Sequence, residues 1–169
     1  MKKLLLPIAG SPNDRHAVQA VIRRFLNETA LEVHLLNVQR PFSWHVSRHA
    51  PAGLRKAHHD EQAAQALAPA REQLDRYGVP YAVHTVVGQP AESITDAAHR
   101  LGCDRIVMAT ARKNTLTRWV ESSVTERVVE LTDVPVELIA GDSMSRWERY
   151  GIPAAIGALL AMALEMVAR

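Results

Sequence analysis

Leu4-Leu5-Leu6-Pro7-Ile8-Ala9-Gly10-Ser11-Pro12-Asn13-Asp14 is the stretch whose reading decides the fold. From Leu4 to Ala9 no side chain is polar, as a strand covered on both faces requires, and the turn formers that follow end the run sharply. Asn13 or Asp14 can then cap a helix by accepting a backbone N–H hydrogen bond. That helix repeats Val18, Val21, Ile22, Phe25 and Leu26 on one stripe. Lys2 and Lys3 before the apolar run imitate the start of a signal peptide, but Pro7 and the turn leave it too short for an h-region. A buried first strand feeding an amphipathic helix is the expected reading.

The same alternation recurs along the chain. Leu31, Val33 and Leu35 alternate and the run then becomes continuous, predicting a second strand that ends near Asn37-Val38. Residues 39–59 show no periodicity and contain Pro41, Pro51 and Gly53, which predicts a connection long enough to suggest function or mobility. From Asp60, the spacing of Ala63, Ala66, Leu67, Ala70, Leu74 and Tyr77 predicts a helix kinked at Pro69 and closed by Gly78. Tyr81, Val83, Thr85 and Val87 alternate as a third strand. Pro90 then opens a helix that buries Ile94, Ala97, Ala98 and Leu101. Arg105 to Ala109 is the fourth strand, Val120 to Leu131 the fourth helix, and Val134 to Ala140 the fifth strand. Strands alternating with helices in this way predict an α/β domain over residues 1–141, with an open, doubly wound five-stranded parallel sheet. No repeat has the period of a solenoid or propeller.

Composition narrows the function. A chain of 169 residues is one domain at roughly 100–200 residues each. With 47% hydrophobic and 22% charged residues it is not a disordered chain. A formal charge of +2 is too small for the whole surface to bind polyanions, so any electrostatic footprint is local. Cys103, the single cysteine, rules out an intramolecular disulfide and a cysteine-rich metal site, and suits a reducing cytoplasm. Placed just before a strand, it reads as a small buried hydrophobe.

Five fragments stand in a telling order: Leu5-Leu6-Pro7-Ile8-Ala9-Gly10-Ser11, Gly88-Gln89-Pro90-Ala91-Glu92-Ser93-Ile94, Asp104-Arg105-Ile106-Val107-Met108, Ser123-Val124-Thr125-Glu126-Arg127-Val128 and Val134-Pro135-Val136. In this order and spacing, over residues 2–141, the chain resembles the universal stress protein family. The resemblance implies an open five-stranded parallel sheet, a homodimer formed through the last strand, and ATP binding in many members. Val134, Val136, Leu138 and Ile139 would supply the apolar dimer edge, interrupted by Glu137.

The family's phosphate loop, Gly-x-x-Gly followed by nine residues and then Gly-Ser or Gly-Thr, brings bare backbone N–H groups to the phosphates at a helix N-terminus. Laid on that pattern, the glycine positions hold Ala109, Arg112 and Ser122, and only Ser123 is retained. The family's nucleoside-contacting aspartate at the end of the first strand corresponds to Ala9. These departures predict no cofactor, with ATP or another nucleotide disfavoured. The alternative is a nucleotide- or anion-responsive sensor with an altered pocket around Ser11, Val38, Thr110, Lys113 and Ser123. Arg112, Lys113 and Arg118 would then offer side-chain charge to an anion, or would be solvated charges on a loop.

His45-x-x-x-His49 with His58-His59, and Asp60 or Glu61 as a carboxylate, has a spacing that could ligate zinc. Pro51 and Gly53 interrupt the segment, so exposed histidines in a flexible loop and no metal are expected. His34 and His84 fall at polar-facing strand positions and are expected to be exposed or hydrogen-bonded. No Gly-x-Ser-x-Gly elbow is present, and the chain is expected not to be an enzyme. Arg40, His45, Arg48, His49, Arg55, Lys56, His58 and His59 run without an acid until Asp60, with Phe42 and Trp44 among them. That patch either meets phosphates of lipid or nucleic acid or is a charged loop. No nucleic-acid-binding motif accompanies it, so no specific nucleic-acid partner is expected.

Beyond the domain, residues 142–150 read as a linker and 151–169 as an apolar C-terminal helix. Between Ile152 and Ala168 the only charge is Glu165, and these 17 residues span about 25 Å as a helix against roughly 30 Å for a bilayer core. Ile156, Leu160 and Leu164 lie on its bulky face, and Gly157-x-x-x-Ala161 permits close helix approach. Such a helix packs on its own domain or dimer mate, docks on a partner protein, or enters a membrane with Trp147 and Tyr150 at the interface. The sequence thus predicts a non-enzymatic, stress-related regulatory or adaptor protein. It is expected to be a homodimer in the cytoplasm or at the cytoplasmic face of a membrane, with a tail that engages a membrane or partner.

Overall fold

The computed structural model describes residues 2–27, 30–42, 51–110 and 118–140, except for the side chains of 118–123. In chain order the described elements are β1 (Lys2–Pro7), α1 (Asp14–Asn27), β2 (Leu31–Gln39), α2 (Ala52–Arg76), β3 (Tyr81–Val87), α3 (Pro90–Leu101), β4 (Arg105–Thr110), α4 (Arg118–Leu131) and β5 (Val136–Ala140). Every strand pair is parallel and the sheet order is β3-β2-β1-β4-β5. The central strand β1 sets Leu4 beside Val33 and Leu5 beside Ile106.

The apolar run of β1 serves two cores at once. Leu4, Leu6 and Ile8 join Val18, Val21 and Ile22 of α1 and Leu67, Ala70 and Leu74 of α2 on one face. Leu5 meets Ile94, Ala97 and Ala98 of α3 and Val128 of α4 on the other. Period-two alternation within a continuously apolar strand is what burial on both faces demands. In α1 the expected stripe holds for Val18, Val21 and Ile22, with Phe25 packed at its margin, but Leu26 is 63% exposed. At about 100° per residue, Leu26 stands roughly 90° from the centre of the buried stripe.

The largest difference from expectation is α2, which begins at Ala52 rather than near Asp60. Pro51, with φ −54° and ψ 144°, precedes the first turn, and Gly53 is absorbed into it. The core stripe starts only at Ala63, because the first turns have no sheet beneath them; that is why periodicity is silent there. The helix continues through Pro69 and ends at Arg76, after which Gly78 takes φ +65° and Val79 N–H donates to the Leu74 carbonyl at 3.0 Å. The edge strand β3 leaves Val83 and Val87 exposed. The other edge, β5, starts at Val136 rather than Val134. Val134 and Val136 pack partly against the chain's own core, whereas Leu138 is 47% exposed.

His34, expected to be exposed or hydrogen-bonded, is buried, and its Nδ1 lies 3.1 Å from His84 Nε2. Its Nε2 is 3.1 Å from a Glu32 oxygen but out of line for a hydrogen bond. Burial, then the neighbouring His34 and Arg100, pushes His84 below the usual imidazole range. Cys103 is buried, and burial pushes its thiol up to about 11, the behaviour of an inert structural residue. His45, His49, Arg112, Lys113 and the whole segment 141–169, with Ile156, Leu160 and Leu164, lie outside the described residues. Among those described, no helix is long and apolar enough to cross a membrane.

Leu35→Ala removes a fully buried side chain and is expected to cost about 2–5 kcal/mol in urea unfolding, whereas Leu26→Ala should stay within about 0.5 kcal/mol of wild type. His84 holds its proton less tightly folded than unfolded. Its contribution is therefore complete above the ordinary value of 6.5 and is lost as pH falls through the lowered folded value. Wild type should accordingly lose stability relative to His84→Gln as the solution is acidified from above 6.5, measured by thermal or urea unfolding.

Candidate functional site

Strand order reverses between β1 and β4, and at such a switch point the carboxyl ends of the strands diverge and leave a crevice. A cleft of about 550 Å³ opens there. Its floor is apolar, from Ile8, Leu36, Val38, Met108 and Ala109, and α3 and α4 add Ile94, Val124 and Thr125 along one wall. The other wall is one side of α2, where His58, His59, Gln62 and Ala66 follow at helical spacing.

The turn from β1 into α1 is organised by Asp14. Its Oδ2 accepts the backbone N–H groups of Ala9 at 3.0 Å, Gly10 at 2.8 Å and Ser11 at 2.9 Å, while the Ser11 hydroxyl donates to Oδ1 at 3.0 Å. Burial raises the Asp14 carboxyl above its ordinary 3.8; the Ser11 hydroxyl and the three N–H groups pull the other way and do not fully compensate. Gly10 sits at φ +83°, and a Cβ there would stand 3.2 Å from Ala66 Cβ. The turn therefore needs glycine both for its backbone conformation and for the close approach of α2.

Asn37, fully buried, donates to the Ile8 carbonyl at 2.8 Å and accepts from Gln39 at 2.7 Å, tying the ends of β1 and β2 together at the cleft. Beyond it, Arg40 and Phe42 line the rim. The Phe42 ring lies 4.5 Å from His59 and 5.6 Å from His58, tilted by 38° and 44°. His59 Nδ1 is buried without a hydrogen-bond partner. An apolar slot with tilted ring contacts at its mouth and hydrogen-bonding groups along one rim suits a planar molecule bearing a polar or anionic substituent.

Of the residues singled out from the sequence, Ser11 and Val38 line the cleft, but the Ser11 hydroxyl is already committed to Asp14. Thr110 is half-buried at the end of β4 and is not part of the lining. Ser123 lies on α4, and its neighbours Val124 and Thr125 face the cleft. Ala9 and Ala109, which occupy the aspartate and first-glycine positions of the resemblance, are both in the lining.

Sequence reasoning missed Asn37, Arg40, Phe42 and the His58-His59 pair as cleft residues. His58 and His59 are on a helix rather than in a loop. The readable signals were the polar interruption at Asn37 of an apolar strand and the helical spacing of 58, 59, 62 and 66. Among the described residues, no three His, Cys, Asp or Glu side chains group closely enough to hold a metal ion.

Asp14→Ala leaves three N–H groups and a hydroxyl without their acceptor and should cost about 1–3 kcal/mol in urea unfolding. Because the folded Asp14 carboxyl binds its proton more tightly than the unfolded one, its contribution is complete below 3.8 and is lost as pH rises through the folded value. Wild type should therefore gain on Asp14→Asn as the solution is acidified from neutrality toward 3.8, read from paired unfolding curves.

Comparison with known proteins adds to this geometry. The Universal stress protein family profile matches residues 1–139. The chain is 28% identical over 81 residues to the stress response protein NhaX of Bacillus subtilis, covering 48% of this chain and 49% of the relative. It is 32% identical over 79 residues to a universal stress protein of Methanocaldococcus jannaschii, covering 47% and 46%. The matched segment thus spans about half the length of these curated relatives. Among solved structures, hypothetical protein MJ0577 superposes with a TM-score of 0.70 at 27% identity, over 84% of this chain and 97% of that one. At 18% and 15% identity, which shows fold alone, the chain also matches a universal stress protein in complex with cAMP (TM-score 0.63, 83% and 98% covered) and one from Arabidopsis thaliana with AMP bound (0.61, 85% and 94%). The doubly wound sheet, the cleft at its switch point and a family match that runs from the first strand into the last have one conclusion: this chain belongs to the universal stress protein family.

Proposed function

We propose that the chain is a non-enzymatic regulatory protein of the stress response that senses a mononucleotide in the switch-point cleft. The observation that carries this reading is the cleft itself: about 550 Å³, within the ~300–1,000 Å³ of small-molecule sites, with an apolar floor and a polar rim. Relatives of the same fold hold AMP and cAMP, which makes a nucleotide the natural occupant. Alanine at positions 9 and 109, with Arg112 and Ser122 at the other glycine positions, argues against a triphosphate held by bare main chain.

The adaptor reading keeps one observation of its own. Leu138 is exposed on the edge strand β5, which favours pairing with a second copy, and the apolar segment 151–169 would then carry the dimer to a membrane or partner.

Titration calorimetry of the full chain with AMP, cAMP and Mg-ATP tests the proposal. Saturable micromolar binding of AMP or cAMP, with ATP weaker, is expected. Tighter binding of ATP would restore the family's phosphate site, and no binding of any nucleotide would leave the adaptor reading alone.

A further inference from the structure

We propose that the His34–His84 pair is an acid-sensitive latch on the edge strand β3: it ties β3 to β2 while at most one ring is charged, and it forces β3 away from the sheet once both are. His34 Nδ1 and His84 Nε2 lie 3.1 Å apart, with ring centroids at 5.2 Å, and His34 is buried. Only one hydrogen fits between two nitrogens at that separation, so one ring donates and the other accepts. One added proton, on either ring, leaves this N–H···N bond in place, because the neutral partner still offers a lone pair. A second proton removes the acceptor and sets two cations against each other in a largely water-excluded site. Repulsion then replaces the bond.

The surroundings do not relieve that repulsion. Both rings are on the α3 side of the sheet, where Leu36, the register partner of His84, packs with Ile94, Ala97 and Ala98. There β1 brings Lys3, β2 brings Glu32 and α3 brings Arg100. The turn before β4 brings Cys103, whose thiol stays neutral, and Asp104, which accepts the Lys3 backbone N–H at 2.7 Å. His99 of α3 is paired with Asp133 at 3.2 Å. Glu32 is the carboxylate beside the pair, 3.1 Å from His34 Nε2, and its other oxygen faces Lys3 Nζ at 3.7 Å. One acid therefore answers Lys3 and, at low pH, two imidazolium rings. Burial, His34 and Arg100 push His84 below the ordinary imidazole range, in the direction the latch requires. The element with freedom to yield is β3, which pairs with β2 alone and leaves Val83 and Val87 exposed. Just past its end, Gly88 N–H donates to the Gln39 carbonyl at 2.9 Å, and Pro90 follows in the cleft lining, so movement of β3 reaches the lip of the cleft. The latch does not depend on what the cleft binds.

Amide hydrogen exchange of the full chain, read by NMR and corrected for intrinsic rates, tests the latch between about pH 7.5 and about pH 5. In wild type the protection of β3 and Gly88 should fall by up to about tenfold per pH unit, the slope for one proton taken up on opening, and should vanish while β1 is still protected. His84→Gln keeps a donor and an acceptor for His34 Nδ1 but cannot become charged, so its β3 protection should stay level over the same range. The imidazole signals of His84 in wild type should titrate together with the loss of β3 protection, a readout that needs no variant. Level β3 protection in wild type overturns the latch, as does a fall that persists in His84→Gln, or a charged His84 beneath a β3 that remains protected. Loss of β1 and β3 protection at the same pH overturns it as well, since acid would then unfold the whole domain rather than release its edge.

Discussion

One carboxylate oxygen, Oδ2 of Asp14, gathers the N–H groups of Ala9, Gly10 and Ser11 and so fixes the path of the chain from the central strand into the first helix. The consequences spread outward. Holding Gly10 in a left-handed conformation removes any side chain from the outer side of the turn, and Ala66 of α2 packs into that space. The position of α2 follows from this contact, and with it one wall of the cleft. The carboxylate is partly withdrawn from water to do this, which raises its proton affinity despite four donors. Charge in the turn is thus a structural expense that the surrounding hydrogen bonds only partly offset.

The same device bears on recognition. A glycine-rich turn at the end of the first strand of a doubly wound sheet is ordinarily a place for phosphate, because its N–H groups converge and a helix dipole begins there. Here that potential is consumed internally. Among the described residues, the basic side chains of the lining stand just beyond β2 and on the early turns of α2, where the Phe42 ring lies tilted against His58 and His59. Among the described residues of the lining, the acidic group thus lies at the β1–α1 turn and the basic groups at the β2–α2 rim.

Elsewhere, polar groups inside the sheet are handled by pairing. Asn37 bridges two strands through its amide, and His34 shares a ring-to-ring contact with His84 beneath α3. Glu137 on the edge strand β5 answers Arg24 of α1 at 2.9 Å and Arg105 of β4 at 3.2 Å, pinning helix to sheet on the side away from the cleft. Buried polar groups that find partners cost little and specify register; left alone they would be expensive.

What the sequence determined by itself was the fold: local periodicity is a property of neighbouring residues, and the runs Leu4–Ala9, Leu31–Val38 and Arg105–Ala109 could be buried on both faces only in a helix-covered parallel sheet. The left-handed Gly78 and the start of α3 at Pro90 were legible for the same reason, since each depends on two or three adjacent residues, whereas Asp14, read as a helix cap, instead accepts N–H groups from the turn ahead of its helix. The cleft was not. Residues 52–62 bury no core stripe, so their helix has no hydrophobic period to read, and Gly53 mimics a breaker. Only the tertiary structure could bring Arg40 and Phe42 from the end of β2 together with His58 and His59 from α2. Their grouping follows from how closely α2 approaches the β1–α1 turn at Gly10, a contact between residues far apart in the chain that no local pattern encodes.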